Sequence, residues 1–359
     1  MGMADRIIEE DAQTIASADM DWGKLRGKTV LIAGANGYVP QYLVHGLLRR
    51  NDQRHDGIKV IALCRNRERA EMRFARYLGR TDFELLLQDV RMPVQIDGNV
   101  DYVIHGASPA SQEERHENPL LTFEANVEGS RNLLQLAWKK EAVFLLLSSI
   151  DIYGRIPGTG RLTEGRYGDL DPLNIRNVYS CAKRAAETLC ACYSRRGVPC
   201  KIVRPAQILA GGIGLADGRL HIDFISQMLK GDEIVLKGDG TPRRSFLYVT
   251  DAVTGMLTVL LRGKSGEAYN LCTEKGEASV LELARLMATQ AEGRTIRITY
   301  DMESRRSDPA VTQVVSTVCG DSGKIRTLGW EAKVPLALAC KRMMSYYGLG
   351  GGDSGKGNG

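Results

Sequence analysis

From Thr29 to Pro205 the chain alternates short apolar runs with stretches whose apolar residues recur at helical spacing. Thr29 to Ala33 is β-branched and apolar, too short for a helix, and ends at a glycine turn. Tyr38 to Arg49 follows with Tyr42, Leu43, Leu47 and Leu48 spaced for one helix face. The same pattern predicts strands at Ile58–Leu63, Phe83–Leu87, Tyr102–His105, Val143–Leu147 and Lys201–Val203, with helices over 67–79, 119–139 and 178–196. Continuous apolar strands separated by amphipathic helices describe an α/β fold, a parallel sheet flanked by helices on both faces.

The pattern changes after Pro205. GGIGLADGR reads as a glycine-rich loop, and helices are predicted over 222–230, 251–262, 279–291 and 335–347, with short strands at 233–237, 245–248 and 296–300. The expected organisation is a charged leader over 1–26, forming one short surface helix, then a nucleotide-binding domain over 27–205. A smaller C-terminal α/β substrate-binding lobe over 206–347 shares an interleaved boundary with it, and a disordered tail covers 348–359.

Composition narrows the class. Of 359 residues, 43% are hydrophobic and 25% charged, which fits a soluble globular protein and excludes a disordered or fibrous one. The formal charge of +5 is spread along the chain and does not describe a nucleic-acid binder. No run of about 18 apolar residues predicts a membrane span, and the N-terminus lacks the apolar stretch of a signal peptide, so a cytoplasmic protein is expected. The eight cysteines show no CxxC pair and read as reduced core thiols; the five histidines lack HExxH spacing, so no metal site is expected.

Gly34-Ala35-Asn36-Gly37 stands where the first strand meets the first helix, as in a Rossmann-type dinucleotide site. Glycines there permit a tight turn and close approach of a pyrophosphate to the helix N-terminus. The third glycine of that pattern is replaced by Pro40, which a first helical turn tolerates. The second strand ends at Cys64-Arg65 rather than at an acid that would bond the ribose of NAD. Arg65 suits a 2′-phosphate, so local chemistry leaves NADP open beside NAD; Arg67 and Arg69 read equally as a solvated helix start. Asp89 suits an adenine amino group or the cap of a turn.

Tyr179 and Lys183 stand four apart, on one face of a predicted helix. A lysine beside the phenol would lower its pKa from about 10 and let Tyr179 exchange a proton with a substrate hydroxyl. Ser149, just past the strand ending at Leu147, would hold that same oxygen in line. The alternative is a surface Tyr–Lys pair, which the upstream glycine turn and SSIDIYG disfavour.

Taken with HGASP at 105–109 and Arg204-Pro205, these motifs resemble the extended short-chain dehydrogenase/reductases, within them the nucleotide-sugar epimerases, dehydratases and decarboxylases. The resemblance spans about 27 to 345, and HGASPASQEERHENP with DGTPRRSFLYVTDAV is most similar to the UDP-glucuronate decarboxylases. It implies NAD reduced and reoxidised within one cycle, a nucleoside-diphosphate sugar, UDP-linked, between the lobes, and a homodimer built on helices 119–139 and 178–196. It places Ser149, Tyr179 and Lys183 in catalysis, with Asp151 where decarboxylases and dehydratases carry glutamate. It implies Asn36, Tyr38, Val90, His105, Ala107 and Lys183 around the cofactor. Against the sugar nucleotide it implies Ser108, Pro109, Ser149, Tyr179, Gln207, Arg219, Arg244 and Arg305. Decarboxylation and 4-epimerisation share a 4-keto intermediate and both remain open at this level. So does a non-catalytic dinucleotide sensor, given the departures at Pro40 and at Gln207 to Ala210.

Overall fold

The structure, a computed structural model, describes residues 2–109, 115, 117–156, 160–302 and 318–350. Arg305 and the tail past Gly350 lie outside the described residues. Twelve strands are described: β1 Thr29–Ala33, β2 Lys59–Cys64, β3 Phe83–Leu87, β4 Tyr102–His105, β5 Val143–Leu147, β6 Cys200–Pro205, β7 Gln207–Leu209, β8 Glu233–Lys237, β9 Arg243–Tyr248, β10 Glu267–Leu271, β11 Glu277–Ser279 and β12 Arg297–Asp301. The helices are α1 Met3–Ala16, α2 Pro40–Arg54, α3 Arg67–Phe74, α4 Pro119–Lys139, α5 Val178–Ser194, α6 Leu220–Lys230, α7 Val249–Arg262, α8 Val280–Gln290, α9 Gly323–Arg326 and α10 Leu336–Tyr346.

Seven strands form one sheet in the order β10-β6-β5-β4-β1-β2-β3, with every neighbouring pair parallel. The order reverses between β1 and β4, and such a switch point opens a crevice beyond the carboxyl ends of the strands. Register fixes what meets there. Ala33 lies opposite both Leu63 and His105, and Leu147 lies opposite Val203. The segments beginning at Gly34, Arg65, Gly106 and Ser148 therefore leave the sheet along one edge. β1 and β5 are buried at every position but their first, because helices cover both faces.

Sequence patterning missed β7, β10 and β11, which are short or interrupted by polar residues. Of these β10 matters most, since it completes the main sheet beside β6 although it comes from the C-terminal half. β7, β9 and β11 form a second small sheet, and β8 pairs with β12.

The leader is not a short surface helix. α1 runs for 14 residues and buries Ile7, Asp11, Ala12, Ile15 and Ala16. Each buried isoleucine contributes about 1.5–3 kcal/mol relative to an exposed one. The buried acid is matched: Asp11 accepts from the Tyr248 hydroxyl at 2.8 Å and pairs with Arg342 at 2.8 Å. Charged residues on the outer face made this helix read as solvated. No helix among the described residues is long and apolar enough to cross a membrane.

Candidate active site

Two cavities meet at the carboxyl edge of the sheet. The larger, about 1070 Å³, runs from Gly34, Asn36, Gly37 and Tyr38 to Arg65 and Asp89. Gly34 adopts φ +72°, and a Cβ there would lie 2.6 Å from the Ala107 Cα, so only glycine permits this turn. Pro40 occupies the first turn of α2. Its ring would stand 2.6 Å from a Cβ on Gly106, so the missing side chain at Gly106 makes the room that a third glycine would otherwise supply. The 15-residue α2 thus starts directly behind the turn and aims its positive dipole end at the cavity.

Around the rest of this cavity the expected residues divide. Val90, Ala107, Ser108 and Pro109 line it. Asp89 lines it too, but its carboxylate is held by Arg91 at 2.8 Å and accepts from the Arg91 N–H at 3.0 Å, so it also closes a turn. The Arg91 guanidinium holds that carboxyl below its ordinary pKa. Tyr38 lines the cavity, yet its hydroxyl is buried and donates to the Ile208 carbonyl at 3.0 Å. His105 does not line either cavity. Its ring is fully buried against Phe144, and burial drives its pKa down to about 3. Arg65 is exposed at the rim, whereas Arg67 pairs with Glu71 along α3.

The smaller cavity, about 190 Å³, collects Ser149, Asp151, Tyr179 and Lys183 together with Gln207 and Arg219. Two elements build it. The chain leaving β5 turns at Ser149, whose hydroxyl accepts from the Asp151 N–H at 3.1 Å and caps the following helical turn. α5 presents Tyr179 and Lys183 one turn apart, and the Lys183 ammonium donates to the Leu147 carbonyl at 2.6 Å, tying α5 to the end of β5. That ammonium lies 5.6 Å from the centre of the Tyr179 ring.

The expectation that Lys183 draws the phenol pKa down is not what this pocket shows. Burial pushes Tyr179 above its ordinary value and the nearby Asp151 carboxylate adds to the rise, while Arg115, Ser149 and Arg219 oppose it. Lys183 is itself pushed down to about 7 by burial and by Arg115. A desolvated lysine near neutrality exerts a weaker pull than a solvated one.

Beneath the pocket lies a buried polar chain. Ser148 donates to Glu187 at 2.5 Å, and Arg204 grips the same carboxylate with bonds of 3.0 and 2.6 Å. Arg204 also donates to the Tyr153 hydroxyl at 2.9 Å, which donates to Asn270 at 2.6 Å. These contacts fasten β5, α5, β6 and β10 behind the reactive groups. They commit Ser148 to the framework and leave Ser149 facing the pocket.

On the opposite wall, Arg219 pairs with Asp217 at 2.6 Å and lies over the Tyr38 ring at 4.6 Å. Arg244 is on β9 and lines neither cavity. Sequence reasoning missed Arg115, whose guanidinium lies 3.8 Å over the Tyr179 ring. It lies in QEERHEN, where the run of charge reads as solvated surface and gives no periodic signal. Glu187 was missed as well, although its place one turn after Lys183 put it on the same helix face.

Residues 30–272 match the NAD dependent epimerase/dehydratase family. The chain belongs to that family. Among its curated relatives, UDP-glucuronic acid decarboxylase 1 of Xenopus tropicalis is 31% identical over 322 residues, covering 89% of this chain and 72% of the relative. UDP-glucuronic acid decarboxylase 5 of Arabidopsis thaliana is 31% identical over 312 residues, covering 86% and 85%. A solved dTDP-glucose 4,6-dehydratase of Bacillus anthracis in complex with NAD shares the fold, with a TM-score of 0.72 at 19% identity over 89% of this chain and 96% of that one.

This member of the epimerase/dehydratase family is an enzyme whose cofactor is NAD. The residues present fit it. A Cβ at Gly34 or Gly106 would fill the cradle in front of α2, and the cavity continues from that cradle to Asp89 and opens into the pocket of Tyr179. Ser108 and Pro109 line both cavities and mark where they join.

Proposed function

We propose that this enzyme removes carbon dioxide from a UDP-linked uronic acid by way of a 4-keto intermediate. One observation carries the reading: Ser149, Asp151, Tyr179 and Lys183 converge on a single pocket opening into the dinucleotide cavity. The curated relatives quoted above are UDP-glucuronic acid decarboxylases, which favours a uronate over a neutral sugar.

NAD, held in the larger cavity, would supply a reversible hydride acceptor for the sugar. The Tyr179 oxygen accepts the proton of the C4 hydroxyl as that carbon is oxidised, with Ser149 hydrogen-bonded to the same substrate oxygen. Lys183 orders the cofactor-side wall from its anchor on Leu147. A C4 ketone is β to the C6 carboxylate, so the C5–C6 bond can break with its electron pair left on C5 and spread onto the C4 oxygen. Carbon dioxide leaves and a proton is added at C5; reduction of the C4 ketone by the cofactor would then close the cycle, with Tyr179 returning its proton to the C4 oxygen. The sequence is redox-neutral. Asp151 is the sole carboxylate among the described residues lining the smaller cavity and is assigned the proton at C5.

In this reading Arg219 faces the nucleotide side, with Arg305 reserved for ribose or diphosphate; Arg244, which lines neither cavity, is given no contact. Residues 27–205 form the cofactor domain and 206–347 mainly the sugar-nucleotide lobe, with β10 returned to the cofactor sheet. The assembly is a homodimer through α4 and α5; Leu120, Phe123 and Trp138 on α4 are 68%, 40% and 54% exposed, which supports an apolar partner there. The enzyme works in the cytoplasm, consistent with eight unpaired cysteines.

The test is incubation with UDP-glucuronic acid and catalytic NAD, read by mass spectrometry and proton NMR. A product lighter by carbon dioxide is expected. Unchanged mass with an altered H4 coupling would make the chain a uronate 4-epimerase. Cofactor binding without turnover of any nucleotide sugar would favour a sensor.

A further inference from the structure

We propose that the adenosine end of the larger cavity holds a 2′-phosphate, with Arg65 and Arg69 pairing with it, so that NADP serves this enzyme as well as NAD. The inference concerns the cofactor alone and holds whichever sugar nucleotide is turned over.

Backbone hydrogen bonds at the end of β2 fix where the adenosine ribose lies. The Gly34 N–H donates to the Leu63 carbonyl at 2.9 Å and the Ala35 N–H to the same carbonyl at 3.2 Å, which laces the pyrophosphate turn to β2. On the other side the Gln88 N–H donates to the Cys64 carbonyl at 3.1 Å and brings Asp89 and Val90 alongside. A dinucleotide with its pyrophosphate at the turn and its adenine beside Asp89 and Val90 lays its ribose over the residues that follow Cys64. An acid at that place accepts from the 2′-hydroxyl of NAD, and an arginine there suits the 2′-phosphate of NADP. The chain runs Arg65-Asn66-Arg67-Glu68-Arg69. Asn66 is taken up by the helix, its side chain accepting from the Arg69 N–H at 2.8 Å.

The three arginines are not equivalent. Arg67 pairs with Glu71 at 2.9 Å along α3 and lines neither cavity. Arg65 and Arg69 both line the larger cavity, whereas Glu68, the acid of the same turn, does not. Asp89 does not replace the missing acid. Its carboxylate is gripped by Arg91 at 2.8 Å, and its pKa is held down chiefly by Arg91, with a smaller pull from Arg65. A phosphate at the ribose 2′ position therefore meets two guanidinium groups on the wall where a ribose hydroxyl would look for a carboxylate. Planar guanidinium forks match phosphate oxygens. The phosphate hangs from the end of the cofactor remote from the nicotinamide, so either cofactor supplies the same hydride chemistry.

The experiment measures NADP and NAD binding to the cofactor-free protein by calorimetry, at low and at high salt. NADP is expected to bind at least as tightly as NAD at low salt, with an advantage that shrinks as salt rises, because both arginines are exposed. Arg65→Ala and Arg69→Ala are each expected to weaken NADP about 10-fold and NAD less than about 3-fold. Arg67→Ala, outside the cavity, should leave both within about 3-fold. Arg65→Asp supplies the acid and removes the cation, and should turn the preference to NAD. NADP bound at least about 10-fold more weakly than NAD by the unaltered protein would overturn the proposal. So would equal losses of the two cofactors in Arg65→Ala and Arg69→Ala, or an Arg67→Ala effect as large as theirs. Retained NAD affinity in the variants reports an intact cavity. Because the readout is cofactor binding, a failure to release carbon dioxide from UDP-glucuronic acid would count against the reaction and not against this site.

Discussion

Tyr179 must give up a proton in a pocket whose burial resists exactly that charge. The groups that relieve it are Arg115, Ser149 and Arg219. Tyr179→Phe is expected to lower turnover by about 10²–10⁴-fold with UDP-sugar affinity little changed, measured by steady-state kinetics beside equilibrium binding. Lys183 yields a stability test at the same scale. Its pKa is pushed from an ordinary 10.5 to about 7 in the folded chain, so between those values the unfolded chain holds a proton that the folded chain does not. Lys183 therefore contributes to the stability of the cofactor-free protein an increment that rises with pH over that window, by up to about 1.4 kcal/mol per pH unit. Urea melts at pH 7.5 and 9 should show that increment missing in Lys183→Met; equal slopes in the two proteins would refute the assignment.

At the level of elements, the turn between β1 and α2 and the docking of α1 make separate demands. Gly34→Ala places a methyl against the Ala107 backbone at a positive φ, a strain of about 1–3 kcal/mol. An NAD dissociation constant raised at least about 10-fold is expected, read from quenching of protein fluorescence. Asp11→Ala leaves the Arg342 guanidinium without its buried partner and should cost about 3 kcal/mol, whereas Glu10→Gln on the exposed side of the same helix should cost under about 1 kcal/mol. Thermal unfolding distinguishes the two. The contrast also shows where sequence reading reaches. β1 and β5 were legible to the residue because a strand buried on both faces is apolar almost throughout, and the spacing of Tyr179 and Lys183 carries the helix period in itself. α1 was misjudged because its contact with the fold includes an acid, whose partners are Tyr248 and Arg342, far along the chain. Arg115 was invisible for a related reason: nothing local to QEERHEN marks that this arginine turns inward over an aromatic ring.

At the scale of the molecule, the apolar residues on α4 bear on assembly. If they are covered by a second copy, Phe123→Asp should shift the particle from dimer to monomer in light scattering, with NAD binding retained; a monomer before substitution would remove the dimer.

β10 has a further consequence, for how the protein is made. The ribosome releases β1 through β6 long before Glu267–Leu271, so the nascent sheet waits with the outer edge of Cys200–Pro205 unpaired. An unpaired strand edge invites pairing with another chain. Residues 27–205 produced alone should therefore aggregate, and the main sheet becomes a finished object only once the chain has been synthesised through Leu271.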